Sequence, residues 1–136
     1  TRKKMTSKNI VPGKQLFLDD IRRPVDCVMY TGNAVYAVTN WEVVRNFDEF
    51  KEAIDNSIST GALYQSVSFD YDIDQDHYAG PEPENGYKEK TGYECLLYMI
   101  EQYQKYGLTM PQRLFCHSMN PVGKTKIISE IKRIKR

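Results

Sequence analysis

The sequence predicts an α/β three-layer sandwich on a mostly parallel sheet of about four strands, and three observations lead there. Short, strongly apolar runs recur at 15–18, 41–45, 66–70 and 113–116. Longer stretches with apolar residues three and four apart follow them, the alternation of a parallel sheet covered by helices. Three of the runs also end in chemistry: Asp19-Asp20, Asp70-Tyr71-Asp72 and His117-Ser118-Met119-Asn120.

The first run, Gln15 to Leu18, reads as a buried strand stopped by Asp19-Asp20. Residues 28–38 carry apolar runs on either side of Thr31-Gly32-Asn33, the pattern of an inserted hairpin with a glycine turn. Residues 41–45 read as a second core strand. Asn46 with Glu49 resembles a capping box and opens a helix to about Ser57, with Phe50, Ile54 and Ile58 on one side. Residues 66–70 are a third strand. The segment 71–90, with Gly80, Pro81, Pro83 and Gly86, is a long polar loop of the kind that often serves as a lid. Thr91 caps a helix from Gly92 to about Tyr106, with Tyr93, Leu96, Leu97, Ile100 and Tyr103 as its apolar stripe. Pro111 ends the connection to a fourth strand. Pro121 then starts a last helix with Ile127, Ile128, Ile131 and Ile134 inward and its bases outward.

The chain has 136 residues, 40% hydrophobic and 27% charged, which suits one soluble domain with a real core. Residues 1–136 are expected to form that domain, with 1–13 as a poorly ordered basic tail. No apolar run approaches the roughly 20 residues of a membrane helix. The basic, polar start TRKKMTSKN does not read as a secretory signal, so a cytoplasmic protein is expected. Cys27, Cys95 and Cys116 are too widely spaced for a disulfide framework or a zinc site, and the last two read as buried fillers. The net charge of +1 conceals asymmetry. Residues 70–84 hold six acids and no Lys or Arg, and 124–136 hold six Lys or Arg and one acid. A basic last helix can face solvent or an anionic partner such as a nucleotide or RNA.

In a parallel sheet the groups following the strands share one edge, and ligands bind there at the switch point in strand order. The three polar clusters are therefore expected to meet. Grouped carboxylates raise one another's pKa or need a cation. An oxygen-only set such as Asp19, Asp20, Asp70 and Asp72 suits Mg²⁺ or Mn²⁺ better than zinc. His117 can serve as general acid or base, and Asp70 or Asp72 can accept a phosphate. Phosphate-binding candidates are Arg22, Ser118, Asn120, Gly123 and Lys124, several of them opening the last helix. One such acid alone is ordinarily a turn or cap residue; the doublet, the Asp-x-Asp and the His-Ser-x-Asn together point to a site. The series Asp70, Asp72, Asp74, Asp76 is no calcium loop, since Gln75 stands where glycine is needed and Pro81 where a bidentate Glu is needed. His77 lies in the polar loop and has no functional argument.

These residues also resemble a known family. Leu18-Asp19-Asp20-Ile21-Arg22-Arg23-Pro24 is similar to the "LDDxRxP" opening of the cyclic-phosphate processing receiver-like family. Trp41-Glu42-Val43-Val44-Arg45 and Asp48-Glu49-Phe50 resemble its second strand and helix. Ser68-Phe69-Asp70-Tyr71-Asp72-Ile73 resembles its "SFDHDL", Thr91-Gly92-Tyr93-Glu94 its "TGYD", and His117 through Gly123 its "HSxNPxG". The likeness keeps order and spacing over about residues 15 to 130. It implies a flavodoxin-like, receiver-like fold, in a family found in bacteria and phages, hence a host cytoplasm for a phage product. It implies Asp19 and Asp20 as metal ligands, Asp70 at the place of the receiver's phosphorylated aspartate, and Ser118 near the phosphate-contacting hydroxyl. Tyr71 replaces the family's His, Lys124 stands where Arg is expected, and no fifth strand brings the usual receiver lysine.

The expected function is a metal-dependent phosphoesterase whose substrate is an RNA 2′,3′-cyclic phosphate end or a cyclic nucleotide signal. A non-catalytic nucleotide- or phosphate-binding module and a phosphorylatable switch are the alternatives. Nucleic-acid contact is expected through the basic last helix, and no membrane contact.

Overall fold

Strands β1 (Gln15–Leu18), β2 (Trp41–Val44), β3 (Ser66–Phe69) and β4 (Arg113–Cys116) form one sheet in the order β2-β1-β3-β4, every pair parallel. The computed structural model describes residues 13–38, 40–74, 77, 82–84, 86–87 and 89–135. The expected basic tail therefore falls almost wholly outside the described residues, as does much of the 71–90 loop. The helices are α1 (Val28–Thr31), α2 (Phe47–Thr60), α3 (Gly92–Lys105) and α4 (Pro121–Ile134). The architecture is the expected flavodoxin-like, receiver-like one. Among the described residues no helix is long and apolar enough to cross a membrane.

Side chains alternate across the strands. Leu16, Leu18, Val67 and Phe69 face one side and join Phe50, Ile54, Leu96, Met99, Ile127 and Ile131 from the three long helices. Phe17 faces the other side, with Cys27, Tyr36 and Trp41. The α3 stripe differs from expectation by one position. Cys95 and Met99 point inward while Leu97 is 38% exposed, because the packed face follows the neighbours' contour rather than the hydrophobicity of each residue.

The inserted hairpin does not form. Residues 24–37 make a 3₁₀ turn (Pro24–Cys27), the single turn α1, and a second 3₁₀ turn (Ala34–Ala37). Gly32 adopts φ 66° and closes α1 through its amide to Val28 O, so it is a helix C-cap rather than a hairpin turn. Asn33 accepts a hydrogen bond from Val35 N to open the next turn. This path buries Cys27 and Tyr36, and Tyr36 stacks on Trp41 at 5.7 Å. A two-stranded ribbon would have left this sheet face uncovered.

Two helix starts are specified locally. Thr91 and Glu94 form a capping box at α3. At α2, Asn46 accepts from Glu49 N, and the Glu49 carboxylate reaches past the cap to Arg45 N. The close approach of α3 to β3 depends on Gly92, whose amide donates to Tyr71 O. A Cβ at Gly92 would lie 1.6 Å from the Asp70 carbonyl oxygen, a backbone atom. Gly92→Ala is thus expected to force α3 off the end of β3 and destabilise the domain by at least about 2 kcal/mol, measured by urea denaturation; a loss within 0.5 kcal/mol would show that helix and strand separate freely.

Candidate active site at the strand ends

The ladder continues one residue past each strand and thereby builds the site. Leu18 pairs with Val44 and Phe69, and Phe69 with Cys116. Next come Asp19, Asp70 and His117, whose amides donate to Val44 O, Leu18 O and Phe69 O. Because β1 connects to β2 on one side and lies beside β3 on the other, Asp19 and Asp70 occupy the switch point. Asp19, Asp70 and His117 each place one donor atom within 4.8 Å of the other two, and all three are buried.

Asp19 is held from several directions. Its Oδ1 accepts from the amides of Ile21 and Arg22, and its Oδ2 from His117 Nε2 at 3.1 Å. Burial works against its charge, but the His117 bond and the two amides prevail and lower its pKa to about 2. Asp70 is the opposite case. Its Oδ1 accepts from Tyr71 N, while the buried Oδ2 has no hydrogen-bond partner. Burial and then the Asp19 charge raise its pKa to about 7, against smaller opposition from Ser118 and Arg22. Arg22 Nη1 lies between the carboxylates, 3.4 Å from Asp19 Oδ2 and 3.7 Å from Asp70 Oδ2. Arg45 Nη1 donates to the carbonyls of Asp19 and Arg22 and fixes this turn.

His117 sits behind Asp19 rather than beside a substrate. It is 1% exposed, stacked on Phe17 at 4.3 Å, and its burial lowers its pKa. Its Nδ1 bonds Ser68 Oγ at 2.7 Å, and Ser68 Oγ bonds Tyr36 OH at 2.7 Å. A carboxylate only accepts, so Nε2 carries the proton, Nδ1 accepts from Ser68, and Ser68 accepts from Tyr36. The residue expected as general acid-base thus has both ring nitrogens hydrogen-bonded within the fold.

The remaining predicted residues separate into groups. Ser118 is buried beside Asp70 and accepts from Asn120 N. Asn120 is the N-cap of α4: Oδ1 accepts from Gly123 N and Nδ2 donates to both Asp72 oxygens. Gly123 therefore has its amide committed to the cap, and a Cβ there would meet the Tyr71 ring at 2.1 Å. A phosphate contact at Gly123, as expected from sequence, would have to compete with this cap. Lys124 is exposed on the first turn of α4. Asp72 is engaged with Asn120, and the half-buried Asp20 lies outside the three-residue group. His77, given no role from sequence, is buried; Nδ1 accepts from Ile73 N and Nε2 bonds Glu89 O, which ties the two ends of the loop together.

Sequence reasoning missed Ser68, Tyr36 and Arg45. Ser68 had a signal, a small polar residue flanked by Val67 and Phe69 in a strand with no solvent face. Tyr36 had none, since it reaches the site through a segment misread as a hairpin.

A four-stranded parallel sheet with acids at its switch point and a His-Ser pair after the last strand defines a receiver-like domain with a candidate site at that switch point. The family model for the cyclic-phosphate processing receiver domain matches residues 14–133, and the chain belongs to that family. No curated protein and no solved structure matches it.

Two outcomes test this electrostatic arrangement. The folded Asp70 carboxyl keeps its proton to about pH 7, whereas in the unfolded chain it ionises near 4. The folded state binds the extra proton in that interval, so Asp70 lowers stability as pH rises from about 4 to 7. In chelator, Asp70→Asn is expected to stabilise the protein at pH 8 by on the order of 2 kcal/mol and by much less at pH 4, read from urea midpoints. Equal effects at both pH values would contradict the raised carboxyl. Ser68→Ala leaves Tyr36 OH and His117 Nδ1 without their partner and is expected to cost about 1–3 kcal/mol, checked by the same measurement.

Proposed function

We propose that this domain binds a cyclic phosphate ester at the C-terminal edge of its sheet, with Mg²⁺ or Mn²⁺ between Asp19 and Asp70, and hydrolyses it. The observation that carries this reading is Asp70 Oδ2, a buried carboxylate oxygen beside a second carboxylate and without a hydrogen-bond partner. Among the described residues, Arg22 is the cation that touches both acids, at 3.4 and 3.7 Å. Two buried carboxylates sharing a partly exposed guanidinium fit a divalent cation. When bound, such an ion supplies a polarised phosphate oxygen and an acidified water.

The chain's own residues would divide the remaining work. Asp19 and Asp70 would hold the cation. His117, kept in one tautomer by Ser68, fixes Asp19 so that one oxygen faces the site. Arg22 is long enough to leave the carboxylates and neutralise phosphate oxygens. Ser118 supports Asp70. The exposed Lys124, Lys126, Lys132 and Arg133 on α4 and Lys135 at its C-terminal end, with Lys126 Nζ 4.7 Å from the Tyr93 ring centre, supply basic groups suited to an RNA end.

A binding module without turnover is favoured by one observation, the burial of His117 with both nitrogens bonded. The deciding experiment incubates the protein with 2′,3′- and 3′,5′-cyclic nucleotides and an RNA with a 2′,3′-cyclic phosphate end, with Mn²⁺ or with chelator. Metal-dependent product, reduced at least 100-fold in Asp70→Asn, supports hydrolysis. Saturable binding with no product makes the domain a binding module. No binding and no product would refute both. Because Asp70 must lose its proton to hold a cation, Mn²⁺ affinity measured calorimetrically is expected to rise with pH up to about 7 and then level off; a flat profile would show that Asp70 is not a ligand.

A further inference from the structure

The exposed apolar side chains of this domain are not scattered. Seven of the nine large ones among the described residues, Ile21, Val25, Met29, Tyr30, Val38, Met119 and Val122, lie on the segments following β1 and β4. Those segments flank Asp19 and His117. Single exposed apolar residues are ordinary, but two of these, Tyr30 and Met119, lie against Arg22 at the polar site, a placement that suits a ligand with an apolar part.

Arg22 joins this patch to the acids. Its Nη1 faces the two carboxylates, its Nη2 donates to Met119 Sδ at 3.1 Å, and its guanidinium carbon lies 5.6 Å from the Tyr30 ring centre. Tyr30 is itself fixed, because its hydroxyl donates to His117 O at 2.6 Å and also lies 3.1 Å from Cys27 Sγ. A half-exposed ring is thereby held rigid at the edge of the site, tethered to the backbone of a core site residue. Met119, 60% exposed, supplies a polarizable and adaptable thioether beside it. A phosphate drawn to Arg22 would carry its ester group over these two side chains. A flat, aromatic group suits them, and a polyol does not.

We propose that Tyr30 and Met119 form a platform for the nucleobase next to the phosphate, so that the site selects nucleotides over base-free cyclic phosphates. The inference rests on the cyclic-phosphate reading above and adds a specificity element to it. It covers free cyclic nucleotides and nucleotide ends of RNA alike, since both offer a base one sugar away from the phosphate.

The test is calorimetric titration in Mn²⁺ with 2′,3′-cyclic AMP, 3′,5′-cyclic AMP, a short RNA bearing a 2′,3′-cyclic phosphate, and base-free glycerol 1,2-cyclic phosphate. Wild-type protein is expected to prefer at least one base-bearing ligand over the base-free one by about tenfold or more, the scale of one base-stacking contact. The ratio should fall towards one in Tyr30→Ala and in Met119→Ser, whose exposed position makes misfolding a poor explanation, and return in Tyr30→Phe. Which base-bearing ligand shows the ratio identifies the source. A wild-type ratio near one, or a ratio unmoved by both variants, with binding still lost in Arg22→Ala, would overturn the platform and leave the phosphate site standing. Failure of every ligand to bind would overturn both.

Discussion

Asp19 and Asp70 stand on neighbouring strands one residue past the last shared rung of the ladder, and much of the domain is arranged around their repulsion. Two carboxylates this close in a buried setting cannot both ionise without compensation. The structure resolves the conflict by unequal support. Asp19 receives two amides and an imidazole, keeps its charge, and pushes the cost onto Asp70, which has one amide and an oxygen with no bond. Arg22 spans the pair without satisfying either fully. Such an arrangement costs the fold stability, a trade expected of sites rather than of cores.

The support behind Asp19 runs along the Phe17 face of the sheet. His117, Ser68 and Tyr36 form one directional chain of hydrogen bonds, and each member is buried. Tyr36 belongs to the turns between β1 and β2, packed on Trp41 and Phe17. The insertion that covers the thin face of the sheet is therefore also the outer anchor of the site. Full hydrogen bonding makes such a chain rigid, since breaking any link leaves buried polar atoms unpaired.

Close backbone approach does the corresponding work on the helical face. Gly92 lets the start of α3 touch the Asp70 carbonyl, and Gly123 lets α4 press on the Tyr71 ring. Tyr71, where the related motif has His, is thus a wedge between two helix starts and lies under Lys126.

The linear order of apolar runs and helical stripes, with Asn46, Thr91, Asn120 and Pro121 at the starts, specified the parallel sheet and its long helices, because these patterns are local and periodic. The placing of Asp19, Asp70 and His117 after strands was legible for the same reason: parallel strands put their ends on one edge. The sequence could not rank the acids, since the charge each carries depends on which amides and bases converge on it from four separate segments. Nor could it turn 24–37 into helical turns, since that choice came from covering Phe17 and Ser68 on the far face. By itself the sequence determined which chemistry gathers at the strand ends. Tertiary structure decided that Asp19 is the charged partner, Asp70 the strained one, His117 the support and Asn120 the cap, because burial and hydrogen-bond competition exist only once distant segments meet.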